Sequence, residues 1–186
     1  TLDRSSAASD VYKRQGIEGY AVDVETDISA GLTGMEIVGL AGTAVKESKE
    51  RIRSAIKNSG MIYPAKRITV NLAPADTKKD GPTFDLALAV GILAASEQIV
   101  MKKYKEFVFL GELSLDGKLR GVCGVMPLLI SAVQQGYTRF IVPKDNAKEA
   151  AFIEGTEVFA FEKLSEVVGF LNGVENYLPV LHTSYD

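Results

Sequence analysis

RITVNLAPADTKKDGPTFDLALAVGILAA, residues 67–95, is the stretch that decides the architecture. At its start Ile68, Val70 and Leu72 alternate with Thr69 and Asn71, the period of two that a half-buried strand requires. Pro74 stops that strand, and Lys78-Lys79-Asp80-Gly81-Pro82 is a polar, turn-rich connection. Residues 83–95 are then apolar nearly all round, which predicts a helix buried on every side rather than one lying on the surface. A strand feeding such a helix belongs to a fold in which helices cover a sheet.

The flanking residues extend the alternation. Upstream, residues 16–25 carry Ile17, Tyr20, Val22 and Val24 near a period of two, and residues 35–38 follow Gly31 and Gly34. We read both as strands and expect them to pair as a hairpin. Thr43 stands as the N-cap of a helix over 45–58 whose Val45, Ile52, Ala55 and Ile56 share one face, with Gly60 ending it. Downstream, residues 107–110 and 113–115 are β-like, and Asp116-Gly117 is a hairpin turn before 118–120. A helix over 125–135 closed by Gly136, a strand at 139–142, a short helix at 146–152, a strand at 157–159 and a helix at 164–171 complete the pattern. The fold class is α/β, over residues 16–173.

Both ends fall outside that pattern. Residues 1–15, TLDRSSAASDVYKRQ, are polar without an amphipathic period and resemble a translated sequencing-adapter scar, so we expect a foreign or disordered leader. Residues 174–186 contain Pro179 and no period, as the start of a linker would.

Composition narrows the function. With one cysteine, Cys123, and one histidine, His182, neither an internal disulfide nor a Cys/His zinc site can be assembled. A single thiol and the lack of a signal pattern place the expectation in the cytoplasm, and no apolar run approaches the ~20 residues needed to cross a bilayer. Net charge is −3, yet residues 42–79 carry nine basic side chains against three acidic ones, leaving −9 on the remainder. Cys123 lies between glycines in an apolar context and is expected to be packed.

Four strings together resemble the ComM/YifB family of magnesium-chelatase-like AAA+ ATPases. They are GIEGYAVDVETDIS (16–29), IVGLAGTAVKESKERIRSAIKNSG (37–60), the opening stretch at 67–95, and FLGELSLDGKLRGVCGVMPLLISAVQQGYTRFIVPKDNAKEA (109–150). The resemblance implies a Lon-protease-like two-layer fold with a left-handed βαβ crossover, and an AAA+ module following in the same polypeptide. It also implies a homo-hexamer, ATP and Mg²⁺ in that module, and a motor implicated in DNA branch migration during natural transformation and recombination. No GxxxxGK[ST] string occurs here, so no nucleotide loop is expected in this segment. A literal magnesium-chelatase role, helping to insert Mg²⁺ into a porphyrin, ranks below these, because the sequence offers neither a porphyrin site nor a metal cluster.

The same resemblance sets up a peptidase question. Lys79-Asp80-Gly81-Pro82-Thr83 falls where Lon proteases carry a nucleophilic serine after KDGP, and GELSLDGKLRGVCGV resembles the stretch that leads to their lysine base. A Ser/Lys dyad needs a hydroxyl and a neutral amine in reach of one another. Here the two positions are Thr83 and Met126, and a thioether is no useful base. The segment is therefore expected to have no catalytic residue; a degenerate peptidase is the alternative. Thr83 then reads as an N-cap, and Asp85 either complements the helix dipole or is a buried acid whose basic partner the sequence does not name.

On the helix over 45–58, Lys46, Lys49, Arg53 and Lys57 recur every three or four residues. That stripe reads first as a solvated face braced by pairs such as Glu47–Arg51. Contact with DNA phosphates is the functional alternative, extended by Lys66, Arg67, Lys78 and Lys79 if folding brings them alongside. No aromatic residue interleaves with the stripe, which argues against a stacking platform for single strands.

Overall fold

The computed structural model describes the backbone of residues 5–15, 18–40, 42–73 and 82–183, with side chains from Val22 onward. Its frame is a mixed seven-stranded sheet. In chain order the strands are β1 (Ser5–Gln15), β2 (Glu18–Ser29), β3 (Gly34–Val38), β4 (Arg67–Ala73), β5 (Val108–Phe109), β8 (Arg139–Pro143) and β9 (Glu157–Phe161). Their spatial order is β3-β4-β2-β1-β5-β8-β9. A separate ribbon pairs β6 (Glu112–Leu113) with β7 (Leu119–Arg120) around the Asp116-Gly117 turn, as the sequence predicts.

Burial follows the alternation read from the sequence. In β2, Val22, Val24, Thr26 and Ile28 are buried while Asp23 and Glu25 are exposed; in β4 the buried set is Ile68, Val70 and Leu72. The expected hairpin of β2 with β3 does not form. Strand β4 inserts between them, antiparallel to β2 and parallel to β3, and Arg67 of β4 is registered with both Ser29 and Gly34. Parallel neighbours need a crossover, and helix α1 (Gly42–Asn58) supplies it, giving a β3–α1–β4 unit.

The segment set aside as a leader is paired here. Strand β1 runs antiparallel along β2 from Ser5 opposite Ile28 to Gln15 opposite Glu18, and touches β5 in parallel at Asp10–Val108. Ladder bonds use main-chain groups alone, so a segment without hydrophobic period can still occupy a vacant strand position. The tail also departs from the linker expectation up to Thr183. Val180 N–H donates to the Val158 carbonyl at 2.7 Å, Thr183 N–H to the Ala151 carbonyl at 2.8 Å, and the Tyr177 ring packs edge-on against Phe161.

Helix α1 buries Ser48, Ile52, Ala55 and Ile56, with Val45 partly covered. It starts at Gly42, so Thr43 lies inside the first turn and is not the N-cap. At its other end Gly60 (φ +80°) takes a left-handed conformation, while Met61 N–H reaches back to the Ile56 carbonyl at 3.1 Å. Helix α2 (Asp85–Ala95) is buried at every residue except Ala94, covered by this chain's own sheet and helices, so no outside partner is required to cover it. Gly91 permits the closest approach: a Cβ there would lie 2.6 Å from Thr26 Oγ1. Helices α3 (Val125–Gln134), α4 (Ala147–Ala150) and α5 (Leu164–Leu171) complete the fold.

Candidate functional site

The two Lon-like positions sit on different elements. Thr83 is half-buried in a 3₁₀ turn, Pro82–Phe84, and α2 begins only at Asp85 with Phe84 at the cap. No side chain caps that helix, so Thr83 is not the N-cap. The turn is held by main-chain bonds instead: Leu86 N–H to the Gly111 carbonyl at 3.1 Å and Gly111 N–H to the Thr83 carbonyl at 3.3 Å. Met126 is the second residue of α3 and packs, partly buried, against the hydrophobic core.

Of the substitute bases, Lys118 is exposed beside Asp116 (3.9 Å), and His182 Nε2 lies 2.9 Å from the Thr156 carbonyl. Lys78 and Lys79 lie outside the described residues. Cys123 is exposed, contrary to the packed expectation, because the turn entering α3 is a surface turn. Asn146 fixes that turn, its amide accepting from Val122 N–H (2.9 Å) and donating to the Val122 carbonyl (3.0 Å).

Asp85 resolves into the buried acid. It is fully buried, and its partner is Arg51 of α1, whose Nε donates at 2.6 Å and whose second guanidinium nitrogen donates at 3.2 Å. Ser48 Oγ (3.3 Å) and Leu113 N–H (3.2 Å) also donate to the carboxylate. Burial pushes the Asp85 carboxyl up, and the Arg51 hydrogen bond is the first force pulling it back; that bond in turn holds the Arg51 guanidinium up. The cluster ties α1, α2 and β6 together. Glu47 is only a distant second partner of Arg51, at 3.9 Å, so the expected surface brace is mostly an inward pin.

The basic stripe lies on the opposite side of α1. Lys46, Lys49, Arg53 and Lys57 line one wall of a cleft of ≈ 480 Å³. Thr33, Gly34 and Met35 from the start of β3, with Tyr63, Pro64 and Ala65, form the other. Sequence reasoning missed Tyr63, because it follows the helix rather than interleaving with the stripe. Burial pushes its phenol up, while the Arg53 charge acts the other way. Lys66 and Arg67 do not line the cleft, and Arg67 is paired with Glu36 at 2.9 Å. Among the described residues no group of three or more His, Cys, Asp or Glu side chains is placed to hold a metal ion. No helix among them is long and apolar enough to cross a membrane.

Comparison with known proteins bears on these positions. The chain is 46% identical over 167 residues to competence protein ComM of Haemophilus influenzae, covering 89% of this chain and 33% of that protein. It is 46% identical over 158 residues to protein YifB of Escherichia coli, covering 85% of this chain and 31% of the relative. Lon protease of Brevibacillus choshinensis matches at 29% over 162 residues, 81% of this chain and 20% of that enzyme. The chain thus spans about a third of the length of ComM and YifB. Residues 24–146 match the family model described as subunit ChlI of Mg-chelatase. The Lon-like α/β domain described here therefore belongs to that magnesium-chelatase-like family, with ComM and YifB among its relatives.

Proposed function

We propose that this chain is a non-catalytic accessory domain that organises a ComM-like AAA+ motor, the motor being one implicated in DNA branch migration during natural transformation and recombination. The observation that carries the reading is Met126, packed against the core where a Lon-type peptidase would hold its amine base. In this reading the partner is the AAA+ module of the same polypeptide, assembled as a homo-hexamer in the cytoplasm. ATP and Mg²⁺ belong to that module; among the described residues of this chain no group of three or more His, Cys, Asp or Glu side chains is placed to hold the ion.

The purified chain should cleave neither an unfolded protein substrate nor fluorogenic peptides, and should not hydrolyse ATP. Robust ATP turnover by this chain alone would sink the proposal. A degenerate peptidase is the second reading, favoured by one feature: Thr83 retains a hydroxyl in a turn tightly held against Gly111. It survives only if a measured cleavage activity disappears in Thr83→Ala.

A further inference from the structure

We propose that the outer edge of β3 takes an extended peptide segment as an added strand, and that it selects a segment in which acidic side chains alternate with apolar ones. This goes beyond the accessory-domain reading and does not depend on it, since strand addition carries no requirement about Thr83 or Met126.

The two ends of the seven-stranded sheet are finished differently. In a parallel pair one residue turns its main-chain groups to the neighbouring strand and the next turns them away. On β9, Glu157 N–H donates to the Thr138 carbonyl at 2.7 Å, which turns Val158 outward. There the chain covers its own edge: Val180 N–H meets the Val158 carbonyl at 2.7 Å, and His182 Nε2 lies 2.9 Å from the adjacent Thr156 carbonyl. On β3, Gly34 N–H donates to the Lys66 carbonyl at 3.4 Å, which turns the N–H and C=O groups of Met35 and Ile37 outward. Among the described residues nothing pairs with those groups. Open edges are blunted by lysine, proline, a bulge or a covering segment. Strand β3 reads GMEIV in unbroken register with β4, and its one charge, Glu36, is met by Arg67 at 2.9 Å. Such an edge is a template for strand addition.

The surroundings select the added strand. Its side chains alternate between the two faces of the sheet. On the face where Met35 and Ile37 are buried, they enter the cleft between the start of β3 and the row Lys46, Lys49, Arg53 and Lys57. Glu50 is the one acid among the lining residues, so carboxylates fit there. On the other face they lie beside half-exposed Val38 and the neutralised Glu36–Arg67 pair, where apolar side chains fit. A second copy of this chain is disfavoured, because β3 against β3 sets two cationic rows close together.

The test is fluorescence anisotropy of the whole chain with labelled peptide EVEVEVE. Two versions keep its charge, one N-methylated at the Glu amides and one at the Val amides. Only one set of amides can face β3, so one version should lose at least tenfold and the other should stay within threefold. QVQVQVQ should bind at least tenfold more weakly than EVEVEVE. K49E/R53E should weaken binding at least fivefold, whereas K102E/K105E, an equal charge change at exposed lysines outside the cleft, should stay within twofold. Amide exchange read by NMR should slow at least tenfold at Met35 and Ile37 when EVEVEVE is added. The peptide arms leave the chain unaltered, so the outcome does not hang on the folding of a variant. Equal affinity for the two methylated versions, unchanged exchange at Met35 and Ile37, or equal losses in the two charge variants would overturn the inference. So would protection of those two amides that grows with chain concentration in the absence of peptide, since it would assign the edge to a second copy.

Discussion

Helix α1 carries charge on two sides and treats it in opposite ways. On the inner side, Arg51 meets a fully buried Asp85, with Ser48 and Leu113 N–H supplying further donors. On the outer side, four cations line a cleft without ion pairs among the described residues. A buried charge is tolerable only when nearly every lone pair and proton is met, so the inner cluster is dictated by folding. An exposed charge needs no partner, so what sits on the outer side is free to follow function. The same residue types, a few positions apart on one helix, therefore carry different information.

The largest expected effect comes from breaking the inner cluster. Asp85→Ala leaves Arg51, Ser48 and Leu113 N–H without their acceptor, and urea denaturation should show a loss of about 3–5 kcal/mol. The lower end is expected, because the Arg51 side chain keeps 19% exposure and can turn toward Glu47. If the contrast between the two sides is right, removing both charges should cost far less than removing one. R51M/D85L should recover most of the stability lost in Asp85→Ala. A double variant as unstable as the single would mean that the pair also supplies shape which apolar side chains cannot replace.

A smaller effect sharpens the same point. Ser48→Ala removes one neutral donor from a carboxylate that keeps two guanidinium bonds and one amide, so about 1 kcal/mol should be lost in the same measurement. A loss near that of Asp85→Ala would show that Ser48, rather than Arg51, sets the geometry of the cluster.

These two sides were unequally legible in the sequence. The strands β2 and β4 and the helix α1 follow from period, because burial on one side imposes it locally, whereas α2, buried all round, and β8 and β9 follow from apolar runs bounded by turn residues. The insertion of β4 between β2 and β3 was not legible, since strand order is settled by the α1 crossover and not by the residues of either strand. The strand at Ser5–Gln15 was missed for a related reason: its pairing is main-chain. Asp85 announced itself as a charge within an apolar helix, but its partner lies 34 residues away on another element. The stripe was visible at helical spacing. Its cleft was not, because Thr33 and Tyr63 reach it from separate segments that only folding brings together.

The smallest expected effect has the opposite sign, and it bears most directly on why the outer side exists. Arg53 is preceded by Lys49 and followed by Lys57 at four-residue spacing, so Arg53→Glu removes two repulsive neighbours and creates two attractive ones, while the attraction to Glu50, three residues before it, becomes a repulsion. At about 0.2–0.5 kcal/mol per pair, the net gain should be roughly 0.5 kcal/mol at low salt, the carboxylate one turn before Lys57 being the best oriented of the new pairs. The gain should fade as salt screens the helix surface. A domain that keeps arginine where glutamate would be more stable is holding charge for a purpose other than folding. An unchanged or lowered stability in Arg53→Glu would remove that argument, and with it the contrast between a side of α1 shaped by burial and a side shaped by what it binds.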